Sequence, residues 1–114
     1  MSVGRDNLAA TTISYNGVDY AIFGGGYAAG SYKNAIDIFY FNSSGTFSRL
    51  DTSVTLSTGR YHLAATTISY NGVDYAIFGG GYSGDYSNAV DVFYFNSSGT
   101  FSKLSTSVTL SVAR

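Results

Sequence analysis

The sequence predicts an all-β chain, two copies of one four-stranded antiparallel meander set head to tail. Three observations predict it. Residues 8–27, LAATTISYNGVDYAIFGGGY, recur letter for letter at 63–82, and FYFNSSGTFS runs at 39–48 and again at 93–102. The palette contains 11 Tyr and 8 Phe but no Pro, Cys or Trp, and Tyr, Thr, Val, Ile and Phe fit the pleated surface of a strand. Each copy also carries Asn-Gly between apolar runs. That dipeptide is the strongest short hairpin signal, because both residues accept the positive φ of a type I′ turn. The units divide as 1–59 and 60–114.

Within the first unit, residues 8–15 form the first strand. Its small side chains suit a place where backbones crowd, so Ala10 and its partner Ala65 are expected to meet close neighbours. Asn16-Gly17 turns the chain into a second strand at 18–23, which three glycines end. Residues 27–34 are a loop, the one place where the copies differ in length: YAAGSYKN against YSGDYSN. Surface loops absorb such changes. The third strand is 35–41, a turn follows at 42–45, and the fourth strand is 46–50. A connector then tucks Val54 and Leu56 inward. The second unit repeats the plan with strands near 63–70, 73–78, 89–95 and 100–104. The joint recurs three times, as SVGR at 2–5, STGR at 57–60 and SVAR at 111–114.

These strands do not alternate apolar with polar. Tyr20 and Ile22 point one way, and Ala21 and Phe23 the other; Ile36, Ile38 and Tyr40 oppose Phe39 and Phe41. Both faces must therefore be covered. A lone meander cannot do this, whereas sheets stacked face to face in a ring, a β-propeller, can.

The residues resemble the kelch repeat, a propeller blade with a period near ~50 residues. The resemblance rests on the glycines closing a hydrophobic second strand (IFGGG), a hydrophobic third strand (AIDIFYFN, AVDVFYFN), and Arg5 and Arg60 shortly before each first strand. Kelch blades commonly carry Trp in the fourth strand, where Phe47 and Phe101 stand here. The resemblance implies two kelch-like blades, with first strands at a central channel and a partner-binding face made by the loops after the second and fourth strands. Carried over, that face holds Tyr27, Tyr32, Arg60, Tyr61, His62, Tyr82, Asp85 and Tyr86. The family includes protein-binding adaptors, sugar-oxidising enzymes and sialic-acid-processing proteins, and fold alone does not choose among them.

Composition narrows the function classes. A net charge of -1 argues against nucleic acid as a partner, since phosphate binding needs a basic face. Charged residues are 11% of the chain, against roughly 25% in an average soluble protein. Cysteine is absent, so no disulfide framework or thiolate metal site is expected. No apolar run approaches the ~18 residues of a membrane span, and no secretion signal is read at the start. The Ser/Thr/Asn/Tyr-rich style resembles extracellular microbial repeat proteins, and no compartment is assigned.

Individual residues read blandly. His62 is the one histidine; without a local carboxylate cluster it reads as a surface residue rather than a metal ligand. The glycine triplets lack the Lys-Ser/Thr of a phosphate loop. Asp37 and Asp91 sit mid-strand, and a buried carboxylate needs a partner; backbone donors or a repeated arginine are expected to supply it, rather than acid catalysis. Asn42 and Asn96 head formal glycosylation sequons that read as plain turns. The tyrosines could stack on sugars or anchor a protein.

Nucleophile, base and orienter never appear together, so no enzyme and no cofactor are expected. Two blades would leave two apolar sheet faces open, and propellers need about 4–8 blades to close. The expected partner is the chain itself: a homotrimer of six blades first, a homotetramer of eight second. A glycan- or protein-binding module using the tyrosine-rich face is the alternative.

Overall fold

The computed structural model describes residues 4–114. Among them the chain is all-β, with no helix and so none long and apolar enough to cross a membrane. The first sheet takes β1 (Ala9–Tyr15), β2 (Val18–Gly24), β5 (Ile36–Phe41) and β6 (Phe47–Leu50), neighbours in that order and all antiparallel. The second takes β7 (Ala64–Tyr70), β8 (Val73–Gly79), β9 (Val90–Phe95) and β10 (Phe101–Leu104) in the same order. Two further strands, β3 (Tyr27–Ala28) and β4 (Ser31–Tyr32), pair within the loop after β2, where the sequence predicts only a loop.

Local chemistry explains the elements. Asn16 and Gly17 adopt φ of 50° and 78°, and Asn71 and Gly72 adopt 51° and 77°, as a type I′ turn requires. The Asn42 side chain accepts from the amides of Ser44 (2.9 Å) and Thr46 (3.0 Å), and Asn96 does the same for Ser98 and Thr100. Both sequon asparagines thus serve their own turns.

The two sheets stack. β1 lies beside β7, where the Thr11 and Thr67 hydroxyls meet at 2.6 Å and Thr67 donates to the Thr12 carbonyl. One face of the first sheet, with Ile13, Ile22 and Ile38, packs on the opposite face of the second, with Ala76, Phe78, Phe93 and Phe95. Phe95 seats its ring 5.2 Å from Tyr15 and 4.6 Å from Tyr20. Leu56 is buried at the joint and Val54 packs against the core.

The same residues therefore meet different fates in the two copies. Ile13 is 1% exposed and its partner Ile68 57%; Phe95 is 5% exposed and its partner Phe41 63%. Ala65 packs against the core, but Ala10 does not meet the close neighbours expected of it. It stands exposed on the face of the first sheet that no second layer covers, and Ala9, pointing the other way, is the buried alanine of β1.

Candidate functional site

The expected site residues gather at the end of the sheets where β2 and β8 finish. Gly25 and Gly26 have φ of 75° and 109°. A Cβ on Gly25 would lie 2.6 Å from the Arg60 carbonyl, which itself accepts from the Gly26 amide at 2.8 Å. Only glycine permits this approach. The chain then folds back through Ala29 and Gly30, both at positive φ, pairing Tyr27 with Tyr32 across β3 and β4 and bringing their rings to 5.6 Å.

Tyr61 continues the row. Its backbone exchanges hydrogen bonds with Tyr82 at 3.1 and 2.9 Å. Its ring stacks on Tyr32 at 5.5 Å and 18° and lies 5.7 Å from Tyr27. Tyr82 sits edge-on to Tyr61 at 5.8 Å and to Tyr86 at 5.5 Å. Five tyrosines thus form one continuous aromatic surface. Tyr27, Tyr32 and Tyr86 are exposed on it, with Tyr61 and Tyr82 half-buried between them. Desolvation where its ring meets its neighbours, and then Tyr82, Tyr61 and Tyr27, raise the Tyr32 phenol above its ordinary value. Beside the row, Tyr61, His62, Gly81, Tyr82, Tyr86 and Arg114 line a recess of about 420 Å³.

The remaining expected residues divide. His62 is exposed, with its ring 4.4 Å from Tyr61. Asp85 is exposed, and its carboxylate accepts from the Tyr86 amide at 2.8 Å, shaping the loop. Arg60 does not belong on the face. It is fully buried beneath it, with Nη1 2.9 Å from Asp91 Oδ2 and Nε 2.7 Å from the Gly80 carbonyl. A guanidinium carries its donors in a fixed fork, and here the fork is consumed by the protein. Arg5 pairs with Asp37 in the same manner at 2.8 Å. Both mid-strand aspartates therefore have the arginine partner that their burial demands.

Other polar links between the sheets carry no sequence signal. The Ser14 amide donates to Asp74 Oδ2 at 2.8 Å across the sheets, and the Ser69 hydroxyl holds the other carboxylate oxygen. The Ser69 bond and then the Ser14 amide lower the Asp74 pKa. Nothing in the GVDY run distinguishes Asp74 from its repeat partner Asp19; the difference arises because a sheet lies against one and not the other. Among the described residues, no three His, Asp, Glu or Cys side chains gather as a metal ion would need.

Against known protein families, curated proteins and solved structures, the chain finds no match.

Proposed function

We propose that this chain is a structural repeat module that assembles head to tail with its own copies into a closed ring of kelch-like β-propeller blades, without catalysis of its own. One observation carries the reading: the two open faces repeat the two faces that meet inside the chain, with Val90 and Val92 where Ile36 and Ile38 stand. Inside, Phe78 reaches the first sheet where a Cβ on Gly24 would fall 3.0 Å from its ring. Its repeat partner Phe23 stands on the open face of the first sheet, edge-on to Phe39 at 5.8 Å as Phe78 is to Phe93 at 5.7 Å. On the open face of the second sheet, Ala64, Ile77, Gly79 and Leu110 line a recess of about 380 Å³. These are the repeat partners of Ala9, Ile22, Gly24 and Leu56. Phe23 of one copy thus matches the recess of the next. A polar pair matches as well, since the Ser69 amide of one copy would meet Asp19 of the next as Ser14 meets Asp74.

Such a contact is heterologous, and it closes into a ring when the rotation permits. Three copies make six blades and four make eight, both within the ~4–8 of known propellers; six is favoured. Burial drives the association: Phe41, Phe47, Ile68 and Tyr70 are exposed in the single chain, and covering each large apolar side chain is worth roughly 1.5–3 kcal/mol. Native mass spectrometry at micromolar concentration tests it. The expected mass is three or four times 12.1 kDa; a species that stays at one chain's mass overturns the reading.

The tyrosine row favours a second reading, a carbohydrate- or protein-binding face. Flat, neutral phenols offer stacking surface and hydrogen bonds together. A glycan-array screen of the assembled protein, with Tyr32→Ala as control, would show binding that the variant loses; no binding to any glycan or protein partner would leave assembly as the sole activity.

A further inference from the structure

The joint between the sheets is a clasp. The Asp91 carboxylate accepts from the Ser57 amide at 3.2 Å, the Ser57 hydroxyl at 3.1 Å and Arg60 Nη1 at 2.9 Å. The Arg60 backbone meanwhile ties to the first sheet's loop: its amide donates to Lys33 at 3.1 Å and its carbonyl accepts from Gly26 at 2.8 Å. One segment thus grips its own sheet by backbone and the next sheet by side chain.

The pattern recurs at 111–114, Ser-Val-Ala-Arg. The Arg114 amide donates to Ser87 at 3.0 Å, its carbonyl accepts from Gly81 at 2.7 Å, and the Leu110 amide donates to Asn88 at 2.9 Å. These bonds repeat those of Arg60 and Leu56, whose amide donates to Asn34 at 2.9 Å. The backbone half of a clasp is complete, while the Arg114 side chain is exposed. Asp37 is the repeat partner of Asp91, and in the single chain it holds Arg5. Arg5 also donates to the Gly25 carbonyl at 2.5 Å and to those of Phe23 and Ala35 at 3.4 Å.

We propose that Asp37 is the docking site for Ser111 and Arg114 of a second copy, and that their arrival displaces Arg5. The inference rests on the head-to-tail ring. In the register of the internal joint, Arg114 of one copy and Arg5 of the next fall on the same position, that of Arg60. Two backbones cannot occupy it, so one segment leaves. Removing 110–114 would strip the partners from Gly81, Ser87 and Asn88 and lift Leu110 from Gly80, where a Cβ would meet its side chain at 3.3 Å. The bonds of the Arg5 side chain to Asp37, Gly25, Phe23 and Ala35 are ones that Arg114 can remake, and Ser111 would stand to Asp37 as Ser57 stands to Asp91. The exchange therefore runs toward Arg114, and ring formation turns Arg5 out of the joint.

Dilution series by light scattering, with the unaltered chain, Arg114→Ala and Arg5→Ala, test this. Arg114→Ala is expected to raise the dissociation concentration roughly tenfold or more, because Asp37 is left buried beside an alanine. Arg5→Ala is expected to stay within about twofold of the unaltered chain, since that side chain has left the ring. The reverse pattern, equal weakening by both, or no effect of Arg114→Ala overturns the exchange while leaving the ring intact. An unaltered chain that never assembles sinks the ring itself and the exchange with it. Arg114 is exposed in the single chain, so its alanine variant keeps the fold; should Arg5→Ala fail to fold by circular dichroism, Arg114→Ala decides alone.

Discussion

The two sheets share nearly every residue and bury opposite sides. In the first, the isoleucine face is covered and the phenylalanine face is open; in the second, the reverse holds. Sequence identity does not produce a symmetric pair, because the sheets stack by translation around the joint and not face to matching face. A contact between unlike faces of like units always leaves one of each unsatisfied. The difference between the copies is thus a map of what a further unit would touch.

The largest test of that map is a pair of alanines. Phe95→Ala should cost about 3–5 kcal/mol. Phe41→Ala, the same change in the other copy, should stay within about 0.5 kcal/mol while the chain is kept monomeric by dilution. Urea denaturation reads both. The gap should close in the assembled protein, and equal costs at high dilution would show that the sheets are not stacked as described.

A smaller effect is expected from overpacking. Ala65→Leu should destabilise by roughly 1–3 kcal/mol, read as a lower melting temperature. Ala10→Leu should leave the dilute single chain nearly unchanged and weaken its assembly. If Ala10→Leu lowers the melting temperature of the monomer as much as Ala65→Leu, the open face of the first sheet is covered after all.

The smallest effect is electrostatic. Asp74 titrates below its ordinary value because Ser69 and Ser14 hydrogen-bond its charged form. The unfolded chain therefore binds its proton first as pH falls, and stability rises with pH through that window. The contribution is complete above the unfolded value of about 4 and is lost as pH drops through the folded one. Asp74→Asn should flatten the pH dependence of the urea midpoint on the acid side of about pH 5. An unchanged slope in Asp74→Asn would mean that the Ser69 and Ser14 bonds do not favour the charged carboxylate.

Much of this was legible in the residues. Asn16-Gly17 and Asn71-Gly72 specify their turns through φ alone, and the repeat predicts that whatever one copy folds into the other does too. Apolar residues on both faces of β2 and β5 announce that both need cover. The need of Asp37 and Asp91 for a partner follows from burial of charge in a strand; that arginines supply it is seen in the structure. The tyrosine row is half legible: the residues were named, but their stacking arises when the joint brings Tyr61 between Tyr32 and Tyr82. Arg60 was misplaced because sequence position locates a residue near a face without saying whether its side chain points out of it or under it. The β3–β4 pair was missed because two-residue strands carry no periodicity.

The strands of the two four-stranded sheets and their tight turns come from local rules, where φ preference and strand-favouring side chains act over a few residues. The sequence alone determined those, along with the demand for further layers. Which face of each sheet is covered depends on contacts between residues some 55 positions apart, and a pattern apolar on both faces is degenerate with respect to that choice. Only the tertiary structure decided it, by setting β1 beside β7 and leaving the outer face of each sheet open.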